Sequence, residues 1–199
     1  MNKKPVAAVI LAAGSSRRMG RNKLLLPWDD GGCVLDAVLR AVTAAPADDA
    51  VLVSGSCREQ VEAAARRHGV RCCYNPRHTE GQSSSLIAGL DALSPGMAAM
   101  IVLGDQPFTE PGLLARLIEA YQRSDALLLQ PKSRAGRVGH PVLFAPSLFP
   151  ELRQIRGDEG GRSVLRAHLG QTAYVITEDD ACWQDVDTPE DYQRLRGKS

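Results

Sequence analysis

Short apolar runs alternate with longer segments of helical period along most of the chain, and this alternation restricts the fold more than any other feature. The runs are rich in Val, Ile and Leu and read VAAVIL, AVLVSG, VRCCYN, AAMIVLGD, ALLLQP and HPVLFA. Residues 34–45, 58–69, 84–93 and 111–123 place apolar side chains three or four positions apart, which is typical of amphipathic helices. Strands and helices in alternation predict a mostly parallel, Rossmann-like sheet with helices on both faces. We therefore expect a three-layer α/β/α fold.

The last third of the chain is less regular. It predicts a strand at GHPVLF, a helix near 146–154, a polar turn at GDEGGR and a helix over 163–169. A strand at AYVIT, a strand-like WQDV and a final helix that starts in TPEDY follow. The sequence has no repeat, low-complexity tract or linker, and 199 residues suit one domain. We expect a single domain over residues 5–196.

Composition and charge exclude several classes of partner. The 24 Lys and Arg residues against 23 Asp and Glu leave a net charge of +1, which gives no long-range field to hold a polyanion. Nucleic acid is therefore not an expected partner. The apolar stretch before Gly14 spans only about nine residues, which is too short to cross a membrane or to form a signal core. We expect a cytoplasmic protein with no membrane partner.

The five cysteines suggest neither a disulfide framework nor a zinc site. Their number is odd and no pair has C-x-x-C spacing; they are Cys33, Cys57, Cys72, Cys73 and Cys182. Buried or unreactive thiols are the expected state. Cys72 and Cys73 are adjacent in a predicted strand, so their side chains should point to opposite faces of the sheet.

The stretch LAAGSSRRMGRNK, residues 11–23, joins a predicted strand to a glycine-rich loop with four cations. Such a turn exposes backbone N–H groups that can hold phosphate oxygens. Gly14 and Gly20 permit positive φ, and Arg18 and Lys23 add positive charge. The glycine spacing matches neither the Walker loop nor the dinucleotide fingerprint G-x-G-x-x-G. The alternative is an ordinary turn with solvated arginines.

Two aspartates fall where predicted strands end. Asp105 follows AAMIVLG, at the carboxyl edge where open α/β sheets bind ligands. A carboxylate there suits Mg²⁺ shared with substrate phosphates, although Asp105 could instead cap the next helix. Asp187 follows WQDV and could likewise belong to the start of the final helix. Asp185 would share its strand face; between the two, we favour Asp187 for the metal.

Six spaced segments together resemble the molybdenum cofactor nucleotidyltransferases, and specifically the cytidylyltransferases. They are LAAGSSRRMGRNKLL, GQSSSLIAG, GDQP, GHPVLF, GDEGGR and DVDTPEDY, in order over nearly the whole chain. The resemblance implies the α/β fold of nucleotide-diphospho-sugar transferases. It also implies transfer of CMP from CTP to the terminal phosphate of molybdopterin, with release of pyrophosphate and Mg²⁺ as cofactor. A molybdoenzyme of the xanthine dehydrogenase type would receive the product.

The resemblance also assigns roles within the opening loop and the first aspartate. Arg18 and Lys23 would hold the triphosphate and act in catalysis with Asp105. Arg17 stands where other members often carry a small or polar residue, so which arginine meets phosphate stays open. Cytidine-using members carry Ala-Ala-Gly and guanosine-using members Ala-Gly-Gly, which places this chain with the former. The backbone that would line the base and ribose consists of Leu11, Ala12, Ala13 and Gly14.

Further roles follow from the other segments. The resemblance makes Ser83, Ser84 and Ser85 candidates for contacts with the pyrimidine or ribose, although Ser83 could simply cap a helix. Asp105 and Asp187 match the magnesium positions. The residues expected on the acceptor side of the cleft are His140, Asp158, Gly161 and Arg162. For His140 a structural role in its strand is an equal alternative.

Three rival functions remain. The same chemistry could use GTP, or could act on another phosphorylated small molecule. A non-catalytic carrier could hold molybdopterin for delivery to a molybdoenzyme, but such a carrier would not need acids placed to bind a metal. An oxidoreductase is disfavoured because the dinucleotide fingerprint is absent.

Overall fold

The computed structural model describes residues 3–16, 20, 22–28, 31–178 and 183–196. Its strands form one seven-stranded sheet in the order β3-β2-β1-β4-β6-β5-β7. Only β6 runs antiparallel to its neighbours β4 and β5; every other pairing is parallel. The strands are β1 Val6–Ala12, β2 Asp49–Ser54, β3 Arg71–Tyr74, β4 Ala98–Leu103, β5 Leu128–Ser133, β6 Val142–Phe144 and β7 Thr172–Thr177.

Within these described ranges, seven α-helices connect or follow the strands. They are α1 Val34–Ala44, α2 Arg58–Arg67, α3 Gln82–Asp91, α4 Pro111–Gln122, α5 Phe149–Leu152, α6 Arg162–Ala167 and α7 Pro189–Arg196. Short 3₁₀ turns lie at Lys23–Leu25, His78–Glu80, Pro146–Leu148, Gly157–Glu159 and Leu169–Gln171. Helix α2 ends at Arg67, just before Gly69, whose φ of 70° is the left-handed conformation that commonly terminates a helix.

The sheet is buried on both faces, which explains why its strands read as continuous apolar runs. Along β1, Ala8 and Ile10 face a cluster that includes side chains of α1, α2 and α4. Val9, between them, faces a second cluster that includes side chains of α3, α5 and α6. The predicted three-layer α/β/α fold is confirmed. None of the helices in the described ranges has both the length and the apolar character needed to cross a membrane.

The described cysteines behave as the sequence predicts. Cys33, Cys57, Cys72 and Cys73 form no disulfide, while Cys182 lies outside the described residues. Cys72 packs with the α1 side of the sheet and Cys73 with the α3 side. Burial and a hydrogen bond with Asp36 raise the pKa of the Cys33 thiol to about 11, so this thiol is protonated at neutral pH.

One local expectation is wrong. The stretch WQDV, residues 183–186, forms no strand, and 184–187 have no regular secondary structure. This segment is fixed by single contacts instead: Val186 N donates to Asp105 O at 3.1 Å. In the opening loop, the left-handed backbone lies at Ser16 (φ 50°) and Gly20 (φ 65°), and Gly14 does not share it.

A tight contact between α3 and the sheet gives a prediction for stability. A Cβ at Gly89 would overlap Val9 Cγ1 and lie 3.1 Å from Val53 Cγ2, both on buried strands. Gly89→Ala should therefore lower the free energy of unfolding by about 1–3 kcal/mol, as overpacked cores do. Gly112→Ala is the matched control, because that helical glycine has open space around it. It should leave stability unchanged or raise it by up to about 1 kcal/mol. Urea unfolding that gives the two variants equal stability would contradict this packing.

Candidate functional site

The candidate site lies at the carboxyl ends of β1 and β4, which are neighbours in the sheet. The chain passes from β1 to β2 on one side, while β4 lies on the other, so a crevice opens where the strand order reverses. A cavity of about 440 Å³ occupies this edge. It is lined by residues 11–16, which form the end of β1 and the loop after it, and by Leu103 and Asp105 at the end of β4.

Lys23 joins two acidic side chains at this cavity. Its Nζ lies 2.5 Å from Asp105 Oδ2 and 2.7 Å from Asp187 Oδ1. Burial opposes the charge of the ammonium group, but the two carboxylates outweigh it and raise the pKa of Lys23 above its ordinary value. Lys23 is positioned by a 3₁₀ turn, and its backbone N–H donates to Ser16 Oγ at 3.1 Å. A permanent positive charge therefore lies beside the glycine-rich loop.

The 183–187 segment brings Asp187 to this point from the far end of the chain. Val186 is fully buried in a third apolar cluster with Trp28 and Tyr192. Its hydrogen bond to Asp105 O ties the segment to the end of β4. The cap of α7 is provided by Thr188, whose Oγ1 accepts from Asp191 N while Asp191 Oδ2 accepts from Thr188 N. Asp187 is thus not needed as the helix cap. Asp105 does not cap α4 either, since the N-cap residue there is Glu110.

The donor set at this edge fits a hard divalent cation that is shared with a substrate. Asp105 and Asp187 both approach one ammonium group, so their carboxylates face a common point. Within the described ranges, no group of three or more His, Cys, Asp or Glu side chains could hold a metal by itself. Mg²⁺ commonly takes one or two carboxylates and fills its remaining positions with phosphate oxygens and water. Two carboxylates beside a cavity of about 440 Å³ meet that requirement.

The start of α3 forms another wall of the cavity. Gly81, Gln82 and Ser85 line it, together with His78 and Thr79 from the preceding turn. This wall is held by Asn75, which follows β3 and is nearly completely buried. Asn75 Nδ2 donates to Ser84 Oγ at 2.9 Å and to Ser85 Oγ at 3.0 Å. Sequence analysis did not single out Asn75, although a polar residue directly after an apolar strand is a usable signal.

The three serines of GQSSSLIAG have different environments. Ser85 lines the main cavity, as expected for a contact with the nucleotide. Ser84 Oγ donates within its own turn, to Gly81 O or Arg77 O, so it stabilises the loop before α3. Ser83 and Ser84 line a separate cavity of about 170 Å³. Ser83 is not the helix cap, because the N-cap residue of α3 is Gly81.

A second cavity, of about 290 Å³, adjoins the first. The two share three lining residues, Leu11, Gln82 and Leu103. His140, Gly161 and Arg162 line the second cavity, so three of the four residues expected on the acceptor side lie there together. The fourth, Asp158, lines the first cavity, where its Oδ1 accepts from Gln82 N at 3.2 Å. Asp158 lies in the first cavity because the preceding residue, Gly157, packs its backbone against Gly81 at the start of α3.

His140 has both a structural contact and access to the second cavity. Burial lowers the pKa of its imidazole, partly offset by a long hydrogen bond to Ile101 O and by the charge of Asp105, so the ring is neutral at pH 7. Its backbone oxygen accepts from Trp183 Nε1 at 2.8 Å. Two roles therefore remain compatible with its position: support for the 183–187 segment and contact with an acceptor.

Gln106 and Asp185 are two polar residues in the second cavity that sequence analysis did not place there. Gln106 Nε2 donates to Asp185 Oδ1 at 2.7 Å. Burial raises the pKa of Asp185, and the nearby charges of Asp105 and Asp187 act in the same direction, against the hydrogen bond from Gln106. The position of Gln106 next to Asp105 in GDQP could have marked it as a site residue. Its pairing with Asp185, 79 positions away, could not be predicted from the sequence.

The opening loop contributes most of the expected nucleotide-binding residues. Leu11, Ala12, Ala13 and Gly14 all line the first cavity, together with Lys23. Arg17 and Arg18 lie outside the described residues, so the expected contact of Arg18 with phosphate stays a prediction.

Comparison with known proteins identifies the group to which this arrangement belongs. The family model for the MobA-like NTP transferase domain matches residues 8–173. The chain belongs to this family. The resemblance drawn from the six sequence segments is thereby confirmed, and the family is one of nucleotidyltransferases.

Three curated relatives match almost the whole chain. The purine catabolism protein PucB of Bacillus subtilis is 30% identical over 94% of each chain. The nicotine blue oxidoreductase of Paenarthrobacter nicotinovorans is 30% identical over 96% of each. The molybdenum cofactor cytidylyltransferase of Escherichia coli is 25% identical over 94% of this chain and 93% of that protein. Relatives of this MobA-like chain thus carry names from more than one class of activity.

Solved structures agree with the fold. The crystal structure of Rv0371c from Mycobacterium tuberculosis has a TM-score of 0.86 and 30% identity, and covers 98% of this chain and 100% of that one. A complex of Rv0371c with manganese has a TM-score of 0.82 and 28% identity, with the same coverage. A structural relative of this chain has therefore been solved with a divalent cation.

Proposed function

We propose that this protein transfers CMP from CTP to the terminal phosphate of molybdopterin, releasing pyrophosphate and forming the cytosine dinucleotide of the cofactor. The observation that carries the proposal is the Lys23 ammonium held between Asp105 and Asp187, at a cavity that adjoins a second one. Transfer between two bound reactants needs two adjoining sites and concentrated charge at the junction. The similarity to the cytidylyltransferase of Escherichia coli supports the choice of substrates.

The nucleotide occupies the first cavity in this proposal. The backbone from Leu11 to Gly14 lines the base and ribose, and Ser85 adds a hydroxyl from the opposite wall. The triphosphate lies toward Lys23, with Arg18 as a second cation. The first-cavity position of Asp158, against Gln82, gives it a role in fixing the start of α3 rather than in holding the acceptor.

The acceptor occupies the second cavity, with its phosphate directed toward the first. Arg162 offers a charged donor for an anionic group, while His140 offers a neutral ring. Gly161 lets the backbone of this wall pack closely against the Phe144 ring, because a Cβ at this position would lie 2.8 Å from Phe144 Cζ.

The chemistry needs alignment and charge neutralisation more than acid–base catalysis. A phosphate oxygen of the acceptor attacks the α-phosphorus of CTP, and the bond to the bridging oxygen of pyrophosphate breaks. The attacking phosphate is largely ionised at neutral pH, since its second pKa is about 6, so no strong base is required. Asp105 and Asp187 would hold Mg²⁺, which when bound neutralises charge on the phosphates. Lys23, freed from its acidic partners, would stabilise the charge on the leaving pyrophosphate.

Ala13 gives a test of nucleotide choice. Its side chain is buried against Gly55, where an added Cβ would lie 2.8 Å from Ala13 Cβ. Ala13→Gly removes this methyl at the edge of the first cavity and should lower the CTP-to-GTP ratio of kcat/KM by about tenfold, the scale of one methyl group in a specificity pocket. Ala8→Gly is the control, because Ala8 is also a buried alanine of β1 but packs on the opposite face of the sheet and does not line the cavity. An unchanged ratio for Ala13→Gly means that the base is recognised elsewhere.

The proposed function is tested by incubating the protein with molybdopterin, Mg²⁺ and each of the four ribonucleoside triphosphates while pyrophosphate is measured. Release with CTP alone supports the proposal, and release with GTP supports guanylyl transfer. Release only when another phosphorylated small molecule replaces molybdopterin would change the acceptor. No release with any nucleotide, together with retained molybdopterin binding, would support a carrier in the cytoplasm that passes the cofactor to a molybdoenzyme of the xanthine dehydrogenase type.

A further inference from the structure

Two polar side chains that line the second cavity, Gln106 and Asp185, keep hydrogen-bond acceptors that no described residue fills. Asp185 Oδ1 is held by Gln106 Nε2, and no other hydrogen bond to this carboxylate exists within the described part of the chain. Its second oxygen is not among the fully buried polar atoms without a partner, so it keeps some exposure in a residue that lines the cavity. Gln106 itself is only 4% exposed, and its Oε1 is buried with no partner among the described residues.

The amide oxygen of Gln106 is buried without a hydrogen-bond partner among the residues described, and this arrangement costs stability. Leaving a buried acceptor unpaired is unfavourable, so such groups in folded proteins often have a functional role. Here the amide uses its donor side for Asp185 and leaves its acceptor side empty. This choice fixes the orientation of the Asp185 carboxylate in a cavity that both residues line. Gln106 is therefore a positioning residue for Asp185.

We infer that Asp185, oriented by Gln106, recognises a flat heterocycle that presents an amino group next to a ring N–H, such as the aminopyrimidinone ring of a pterin. The two oxygens of a carboxylate can each accept from one of two adjacent donors of this kind, and Oδ1 has a second lone pair beside the one used by Gln106. The inference rests on the proposed function, which puts a pterin in this cavity, and adds which residue selects the ring.

A divalent cation on Asp105 and Asp187 would make the charges of the two cavities agree with this orientation. Lys23 would then be free to attract phosphate in the first cavity, whereas Asp185 repels phosphate from the second. An acceptor with a donor-bearing ring at one end and a phosphate at the other is thus bound in one direction, with its phosphate toward the nucleotide. Arg162 and Arg137, which also line the second cavity, can receive other anionic groups of the same ligand.

The experiment compares two rings that differ at one group. Binding of 6-hydroxymethylpterin and of 6-hydroxymethyllumazine, which carries oxygen in place of the amino group, is measured by fluorescence anisotropy with the protein as titrant and without nucleotide or metal. The wild-type protein should bind the pterin about 10–100-fold more tightly, the range expected for a hydrogen-bonded pair with a charged partner. Asp185→Asn should reduce this preference to within about threefold. Gln106→Met, which keeps the length of the side chain but not its amide, should reduce it partly.

Glu159→Gln is the matched control, because Glu159 lines the same cavity but pairs with Arg166 at 3.0 Å. It removes the same charge and should keep the preference. Equal binding of both rings by the wild type, or an unchanged preference in Asp185→Asn, would overturn the inference. The same holds if Asp185→Asn weakens Mn²⁺ binding while the ring preference stays, since Asp185 would then be a metal ligand. Failure of pyrophosphate release with an intact ring preference rejects only the proposed function.

Discussion

Asp105→Asn is expected to bind CTP within about threefold of the wild-type affinity while losing about 100–1,000-fold in kcat, the usual effect of removing one group that stabilises charge in a transition state. The amide keeps the shape of the side chain but not its charge, so it binds a divalent cation poorly and no longer partners Lys23. Binding of the nucleotide depends on the whole first cavity, whereas alignment of its phosphates depends on Lys23, Asp105 and Asp187. CTP affinity is measured by calorimetry and turnover by Mg²⁺-dependent pyrophosphate release with molybdopterin.

Asp125→Asn provides the control for this result. Asp125 is a fully exposed acid that pairs with Lys4, which lies just before the amino end of β1 and so at the edge of the sheet opposite to the site. Its removal should change neither CTP affinity nor turnover. Undiminished pyrophosphate release by Asp105→Asn would remove Asp105 from the mechanism. A loss of CTP affinity as large as the loss of turnover would instead show that Asp105 serves binding alone.

Asp36→Asn is expected to lower the free energy of unfolding by about 2–4 kcal/mol, which corresponds to a decrease in Tm of roughly 4–16 °C for a domain of this size. Asp36 is 4% exposed and connects the start of α1 to the end of α2. Its carboxylate accepts from Cys33 N at 2.9 Å, from Arg67 Nη2 at 3.0 Å and contacts His68 Nε2 at 2.8 Å. The amide of the asparagine keeps one acceptor oxygen, but its NH₂ group would face the N–H donors that the carboxylate now accepts from.

The same residue predicts a pH dependence. Burial alone would raise the pKa of Asp36, but hydrogen bonds with Cys33, His68 and Arg67 outweigh it and hold that pKa far below the ordinary aspartate value. A depressed pKa means that the stabilisation is complete above the unfolded-state value, near pH 4, and is lost as the pH falls toward the folded-state value. The stability difference between wild type and Asp36→Asn should therefore shrink below about pH 4.

Asp49→Asn separates burial from charge in this test. Asp49 also has a lowered pKa, due mainly to hydrogen bonds from Arg71, but its ion pair is partly exposed to solvent. Its loss should change stability by less than about 1 kcal/mol. Equal effects of the two substitutions in urea unfolding between pH 2 and pH 7 would refute the special role of Asp36.

The pattern of apolar runs was enough to predict the layers of the fold, because strands buried on both faces and amphipathic helices have different periods. It could not predict that β6 inserts antiparallel between β4 and β5, since a three-residue strand has no direction in its sequence. It misassigned residues 183–186, where Trp183 and Val186 are buried by isolated contacts rather than by a repeating face.

The candidate site shows the same division. The glycine-rich loop and Asp105 were found because each directly follows an apolar strand, and Lys23 because it ends the basic stretch of that loop. The link from Gln106 to Asp185 and the support of Ser84 and Ser85 by Asn75 were not found. Hydrogen bonds between side chains leave no periodic signal, so only their three-dimensional arrangement reveals them.

The sequence by itself determined the type of fold, the edge of the sheet where charge collects and the family. Only the tertiary structure decided which groups meet there: Lys23 with Asp187, 164 positions apart, and two cavities with common walls. The physical reason is the range of the forces involved. Backbone preferences and hydrophobic periodicity act over a few residues and are written locally, whereas a binding site depends on the register in which distant segments pack against one core.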